Sequence, residues 1–239
     1  VDSLTRMGFY VAPESRSNYP PATELAIAAG LAMRYLEAND DPNTLIRENP
    51  VAQLLQEVGY KFVHVGSGWY LTERNPNADV EYLDNNPLRL LVNEFSMALL
   101  RLTVASPLAA NFGVNLEWQY QQNHVKHFNQ AFRWLTEIAD IKDPTFTFSH
   151  IFAPHPPHIF YRDGKIRADG GQGGSGIAFM NEAYIEQLIW VNKVVEGVVR
   201  DILSRSSIEP IIIVQGDHGS HNSLGTPAAN PNAQSIIER

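Results

Sequence analysis

The chain has 239 residues, of which 44% are hydrophobic and 18% charged, so residues 1–239 can bury a substantial core and are taken as one domain. A formal charge of −8 without any Lys/Arg run argues against nucleic-acid binding as the main task. The absence of cysteine excludes disulfides, thiolate metal sites and cysteine nucleophiles. No apolar stretch is long enough to cross a bilayer.

The first third of the chain is predicted to be mainly helical. Residues 22–37 are rich in Ala and Leu and follow a turn-forming segment, so they predict a helix that begins near Thr23. A second helix is expected over 43–58, followed by a short β-strand over 60–65. The stretch 72–86 has turn chemistry and is expected to be a loop.

The rest of the chain alternates helical patterns with apolar, strand-like runs. Helices are expected over 87–104, 117–139 and 178–204, and a strand over 145–152. Residues 210–214, Pro-Ile-Ile-Ile-Val, predict a strand that is covered on both faces. This alternation of helices and buried strands indicates an α/β fold with a layered sheet.

The strongest chemical signal is the sequence Gln-Gly-Asp-His-Gly at 215–219, directly after that last predicted strand. Open α/β sheets bind ligands at the carboxyl ends of their strands. There, Asp217 and His218 would offer a carboxylate oxygen and an imidazole nitrogen to a metal ion. The alternative is a polar turn that contains these residues by chance, because short motifs often match without function.

Two further positions lie at the ends of predicted elements. His155 is flanked by prolines, which would hold it in place to contact an anionic oxygen or to transfer a proton. The alternative is a rigid loop with surface histidines. Thr23 could simply cap its helix. It could instead be a nucleophile, placed where helix amides attract a phosphate or sulfate group.

Other motif matches do not indicate a site. The sequence at 171–176 fits GxGxxG, but the residues before it do not form a buried strand, so a mobile loop is expected. His124 and His127 lie three apart on a predicted helix without an HExxH motif, and are interpreted as surface or packing residues.

Taken in chain order, several segments resemble sulfatase-like proteins of the alkaline phosphatase superfamily. The similarity is greatest to the branch that includes lipoteichoic acid synthases and phosphoethanolamine transferases. The segments are Ser17-Asn18-Tyr19 with Thr23, Leu31 to Leu36, Phe148-Ser149-His150 through His155-Pro156-Pro157, Tyr184 to Asn192, and Ile211 to Gly219. Their order matches that of the family from about residue 8 to residue 219.

The resemblance implies an alkaline-phosphatase-like layered fold, with a largely parallel central sheet and helices on both faces. It also implies metal-dependent hydrolysis or transfer of a phosphate ester, with a sulfate ester less favoured because the C/S-x-P-x-R motif is absent. One divalent ion would be bound by Thr23, Asp217 and His218. Thr23 would attack the ester and form a covalent phospho-threonine.

The same resemblance implies that His155 and His158 bind the substrate, and that His155 contacts the ester oxygens or assists the leaving group. His150 is a further candidate. An oxygen and nitrogen ligand set favours manganese or zinc over magnesium. The expected partner is a phosphorylated or sulfated small molecule, a lipid headgroup or a glycan.

Some features depart from the family pattern. The first metal carboxylate of the family lies upstream of residues similar to 7–10, so we interpret the chain as a fragment of a membrane-anchored protein on the extracytoplasmic face of a bacterial membrane. The spacing from Asn18 to Thr23 is one residue longer than usual, and His158 stands where the family often has an aromatic residue. His221 could add a ligand or be inert. The alternative function is a non-catalytic module that binds an anionic glycan or lipid headgroup.

Overall fold

The computed structural model describes residues 2–15, 17, 19, 22–84, 94–103, 111, 116–167 and 177–219. In this part of the chain, helices surround a small parallel sheet, so the protein has a mixed α/β fold. The strands are β1 (Lys61–Val65), β2 (Val80–Tyr82) and β3 (Thr145–Ser149). The helices are α1 (Asp2–Arg6), α2 (Thr23–Ala32), α3 (Pro42–Glu48), α4 (Pro50–Glu57), α5 (Glu94–Arg101), α6 (Leu116–Glu137, continued by a 3-10 turn, Ile138–Asp140) and α7 (Ile177–Arg205).

The three strands are parallel, in the order β2-β1-β3. The central strand β1 is buried from Phe62 onwards, which agrees with its apolar sequence and with the strand predicted over 60–65. Val65 at its end is aligned with Tyr82 of β2 and Ser149 of β3. The carboxyl ends of the strands therefore share one edge, and His150 follows β3 directly at that edge.

The single helix predicted over 43–58 is wrong, because α3 and α4 are separate helices that meet at Asn49. The proline ring of Pro50 disfavours a helical conformation for the residue before it. Asn49 adopts a left-handed conformation with φ 47°, which Asn tolerates better than most residues. Its side chain then caps α4 by accepting a hydrogen bond from the Ala52 amide at 3.1 Å.

Two other expectations near these elements are corrected. Helix α2 ends at Ala32 instead of residue 37, because Met33 takes a left-handed conformation (φ 53°) and its amide closes the last turn. The segment 72–86, expected to be a loop, contains the short strand β2. The carboxylate of Asp79, just before β2, accepts a hydrogen bond from the Phe62 amide at 2.7 Å and helps to align the pair.

Two buried clusters fix the elements that lead to the edge of the sheet. The larger joins α6 and α7 to the segment after β3, and Trp190 stacks on Phe160 with ring centroids 3.7 Å apart. Its buried members are Phe128, Phe132, Ile159, Phe160, Trp190 and Val191. The smaller cluster holds α2 against α3 through Ile27, Ala28, Leu31 and Ile46.

The strand predicted over 210–214 is not formed in the described residues. Ile211 is 95% exposed and Ile213 is 79% exposed, so the run is not covered on both faces. Branched side chains favour a pleated, half-buried surface, but they form a strand only where a neighbouring strand supplies hydrogen bonds. The described sheet has three strands, which is smaller than the layered sheet that the resemblance implies.

Some predictions fall wholly or partly outside the described residues. Asn18, His221 and the Gly-rich segment 171–176 lie outside them, and the predicted helix 87–104 is described only as α5 and the residues just after it. Among the described residues, no helix is both long enough and apolar enough to cross a membrane.

Replacing Trp190 by alanine is expected to lower the free energy of unfolding by about 3–5 kcal/mol, because a large buried ring is lost from the main cluster. Chemical denaturation followed by circular dichroism measures this change. Trp118→Ala is the matched control, because Trp118 is 55% exposed and its loss should cost about 1 kcal/mol or less. Equal losses in the two variants would contradict the assigned core.

Candidate functional site

A cavity of about 310 Å³ opens at the carboxyl edge of the sheet. It brings together the beginning of α2, the segment after β3, one residue of α7 and the turn at 217–219. Its lining residues are Thr23, His150, Ile151, Phe152, Ala153, Pro154, His155, Pro156, His158, Tyr184, Asp217, His218 and Gly219. All five residues predicted to bind metal or substrate are therefore in this lining.

Thr23 is the first residue of α2, but its hydroxyl does not cap the helix. The cap position is Ala22, which has no side-chain hydrogen bond to the helix. Thr23 Oγ1 instead lies 3.0 Å from Nε2 of His218, a residue 195 positions later in the chain. The capping role considered for Thr23 is therefore not the one that its hydroxyl has in this structure.

The hydrogen bonds of His218 determine which ring nitrogen faces Thr23 as an acceptor. Nδ1 of His218 lies 2.8 Å from the Gly219 carbonyl, and a carbonyl can only accept, so Nδ1 carries a proton. In the neutral ring, the lone pair of Nε2 then points towards Thr23. Oδ2 of Asp217 lies 3.3 Å from the same nitrogen. At this distance two acceptor atoms repel each other, and a proton on Nε2 or a shared cation would remove the repulsion.

Two distances at Nε2 of His218 are compatible with a shared divalent ion. Ligands at about 2.0–2.2 Å from one ion are about 3.0–3.5 Å from each other, and the Thr23 and Asp217 oxygens lie 3.0 and 3.3 Å from this nitrogen. Histidines that bind metals usually donate their other N–H to a carbonyl or carboxylate, as His218 does. Within the described ranges, no group of three or more His, Cys, Asp or Glu side chains is arranged to hold a metal ion.

His155 is exposed at the mouth of the cavity. Its Nδ1 donates to the carbonyl of Pro156 at 2.8 Å, so the neutral ring presents the lone pair of Nε2. The ring packs on Phe152 with centroids 4.1 Å apart. His155 is thus held with an acceptor nitrogen available for a proton, and its roles in substrate contact and proton transfer stay predictions.

The loop that carries His155 is fixed by Gln187 of α7, whose side chain is fully buried. Gln187 Oε1 accepts hydrogen bonds from the amides of Ile159 and Phe160, at 2.7 and 3.2 Å. Its Nε2 donates to the carbonyls of His155 and Pro157, at 3.2 and 3.4 Å. One side chain therefore satisfies four backbone groups and joins the loop to the longest helix.

His158 lies deeper in the cavity wall and is 3% exposed. Neither ring nitrogen has a well-formed hydrogen bond to any described residue, although the Pro154 carbonyl affects the ring electrostatically. Burial lowers the pKa of His158 below its usual value. Its ring meets the edge of Tyr184 at 5.9 Å, and burial raises the pKa of that phenol. The substrate-binding role of His158 stays a prediction.

His150 is partly buried, and its Nδ1 lies 2.8 Å from the hydroxyl of Thr72. Burial lowers the pKa of His150 to about 4, although the negative charge of Asp217 opposes the shift. The supporting residues Ser67, Thr72 and Gln187 were not identified from the sequence. They are ordinary polar residues in a loop and on a helix face, and only their burial distinguishes them.

No protein-family model, curated protein or solved structure matches this chain. The resemblance to sulfatase-like proteins therefore stays a prediction from the order of the motifs. What the site can do has to be argued from its own geometry.

Gln187→Leu is expected to lower the free energy of unfolding by about 2–4 kcal/mol, because it leaves buried amides at Ile159 and Phe160 without acceptors. Urea denaturation measures the change. Gln53→Leu is the matched control, since Gln53 is exposed on α4. If both variants lose the same amount, Gln187 does not anchor the loop.

Lowering the pH from 7 towards 4.5 is expected to reduce the free energy of unfolding. Burial lowers the pKa of His64, His150 and His158, so below about pH 6.5 the unfolded chain binds protons that the folded chain does not. For His150 this loss continues down to its folded pKa of about 4. Each group can contribute up to about 1.4 kcal/mol per pH unit. Urea denaturation at a series of pH values tests this, and a flat profile between pH 7 and 5 would contradict it.

Proposed function

We propose that this protein is a metal-dependent hydrolase or transferase that acts on a phosphate ester through a covalent phospho-threonine at Thr23. The observation that carries the proposal is the meeting of the Thr23 hydroxyl and the His218 imidazole at 3.0 Å, with the Asp217 carboxylate beside them. We also propose that the described sheet is part of an alkaline-phosphatase-like layered fold.

Thr23, Asp217 and His218 would hold the ion, and their oxygen and nitrogen donors favour manganese or zinc. When bound, a divalent ion lowers the pKa of a hydroxyl ligand and offsets negative charge on the transferred group. The 3.3 Å distance between Oδ2 of Asp217 and Nε2 of His218 supports this assignment, because a cation shared by the two acceptor atoms would remove their repulsion.

Thr23 is well placed for attack on a phosphoryl group. It begins a ten-residue helix, where unpaired amides and the helix dipole favour an incoming anion. After the Thr23 hydroxyl loses its proton to solvent, Oγ1 forms a bond to phosphorus. The bond from phosphorus to the ester oxygen breaks, and the phosphoryl group stays on Thr23.

His155 is suited to give a proton to the departing ester oxygen and to take one from the attacking water or alcohol. In its protonated form it gives the Nε2 proton to the departing ester oxygen. The neutral ring then takes a proton from water or from an acceptor alcohol, whose oxygen attacks phosphorus and releases Thr23. Water gives hydrolysis and an alcohol gives transfer. The Gln187 anchor keeps the ring at the cavity through both steps.

The substrate class is the one that the resemblance implies. We propose a phosphorylated small molecule, lipid headgroup or glycan, with a sulfate ester less favoured because the chain lacks the C/S-x-P-x-R motif. As part of the proposal, the protein acts on the extracytoplasmic face of a bacterial membrane.

The test is turnover of bis(p-nitrophenyl) phosphate by residues 1–239 and by the full-length gene product, each supplied with Mn²⁺ or Zn²⁺. Thr23→Ala and Asp217→Ala are expected to abolish turnover, because the first removes the nucleophile and the second an ion ligand. A chelator should abolish it reversibly. Mass spectrometry of the quenched protein should find a phosphoryl group on Thr23.

Two controls separate catalysis from folding. Thr23→Ser keeps a hydroxyl and should retain part of the turnover, whereas Thr136→Ala, on the surface of α6, should leave it unchanged. Residues 1–239 and the full-length gene product could both bind anionic glycans or lipid headgroups and yet show neither turnover nor bound metal. In that case the non-catalytic binding module is the correct function.

A further inference from the structure

Beneath the cavity, a chain of buried hydroxyls leads from the loop after β1 to His150. Ser67 and Thr72 are almost fully buried, and their hydroxyl oxygens are 2.6 Å apart. The Thr72 hydroxyl is also 2.8 Å from Nδ1 of His150. The other ring nitrogen, Nε2, has no hydrogen bond to any described residue and is not buried. Because His150 lines the cavity, Nε2 is the nitrogen that a ligand can reach.

The direction of these hydrogen bonds follows from the single proton that each hydroxyl can donate. The Trp69 amide donates to Ser67 Oγ at 2.9 Å, so this oxygen already accepts one bond. Its single proton has two possible acceptors, Thr72 Oγ1 at 2.6 Å and the Trp69 carbonyl at 3.4 Å. The 2.6 Å bond could form in either direction, but if Thr72 donated to Ser67, the buried Ser67 proton would have only the distant Trp69 carbonyl as its acceptor. Ser67 therefore donates to Thr72.

The Thr72 proton then goes to His150, because Nδ1 at 2.8 Å is the acceptor that remains for this buried hydroxyl among the described residues. Nδ1 of His150 is therefore the acceptor. In the neutral ring the proton is on Nε2, which makes His150 a hydrogen-bond donor towards the cavity. The low pKa of His150 agrees with this, because the ring stays neutral at pH 7.

We infer that His150 is a fixed neutral donor that binds a phosphoryl or ester oxygen through Nε2–H, and that Ser67 and Thr72 are positioning residues that set its protonation. This inference rests on the proposed function and deepens it. A neutral imidazole in this role stabilises negative charge on an oxygen without giving up its proton, a pattern known from other enzymes.

His150 and His155 would thus have opposite tasks in one cavity. Nδ1 of His155 donates to the Pro156 carbonyl, which leaves a lone pair on Nε2. Nδ1 of His150 accepts from Thr72, which leaves a proton on Nε2. One ring is ready to exchange a proton and the other is ready to donate a hydrogen bond.

The packing around His150 holds its ring in one orientation. The edges of Trp69 and Phe152 meet it at centroid distances of 5.6 and 6.1 Å, nearly at right angles. The loop beneath it passes close to neighbouring backbone at Gly66, where a Cβ atom would lie 2.5 Å from the Glu73 carbonyl oxygen. Only glycine fits there without a shift of the loop that carries Ser67 and Thr72.

Long-range ¹H–¹⁵N NMR of the histidine side chains tests the protonation state without any activity. At pH 7, His150 is expected to be neutral with its proton on Nε2. Thr72→Val should produce a mixture of the two neutral forms, whereas Thr72→Ser should keep the wild-type form. A proton on Nδ1 of His150 in the wild-type protein would overturn the inference.

Ligand contact is tested by titrating the metal-loaded protein with inorganic phosphate, with chloride at equal ionic strength as the control. Phosphate is expected to shift the His150 Nε2–H signal, and chloride is not. The contact would be overturned if phosphate changed other cavity signals but not the His150 signal. It would also be overturned if phosphate changed no signal at all.

Two substitutions at His150 then measure its part in turnover. A glutamine amide can reach the position of Nε2, whereas an asparagine amide reaches only that of Nδ1. His150→Asn is expected to lower kcat/KM for bis(p-nitrophenyl) phosphate by about 10²-fold or more, the usual effect of losing one such donor. His150→Gln should retain much more activity.

The possible failures are distinguishable. If the wild type turns over the ester but His150→Asn and His150→Gln are equally active, the inference about His150 fails and the proposed function stands. If the wild type never turns over the ester, the proposed function fails. The protonated nitrogen found by NMR and the signal shift caused by phosphate would then decide whether His150 donates a hydrogen bond to an anion.

Discussion

The hydrogen bond between Thr23 and His218 joins two parts of the chain that lie 195 residues apart, and the site depends on this contact. In the proposed mechanism neither residue acts alone, because a helix-terminal hydroxyl is a weak nucleophile and an Asp-His turn has too few ligands for an ion. The contact is possible because α2 is packed against α3 by its own small core, which holds Thr23 at the edge of the sheet.

The groups that face the ligand are supported by residues that never reach it. Gln187 fixes the backbone around His155 with four hydrogen bonds. Ser67 and Thr72 determine where His150 carries its proton. In both cases a buried polar side chain has little freedom, so it can hold a neighbour in one geometry and one protonation state. Such support is what turns a polar cavity into an organised site.

Much of the site could be predicted from the sequence, because Thr23, His155 and Asp217-His218 each lie at the end of a patterned segment. The supporting residues could not be predicted in this way. Thr72 lies in a stretch dominated by turn residues, which also concealed β2, and its burial comes from contacts with distant segments. The break at Asn49 was readable in principle, since a proline follows it. The α/β class was predictable; the extent of the sheet was not.

The run at 210–214 shows that local sequence pattern alone cannot predict a strand. Its composition favours a strand, but the described residues provide no partner strand for it. This exposure has a practical consequence. Adjacent branched residues without charge, open to solvent and without backbone pairing to any described residue, favour stacking between molecules into cross-β aggregates. Glu209 with Pro210 on one side and Asp217 on the other limit such stacking. The segment leading to the Asp-His turn is thus also prone to self-association at high protein concentration.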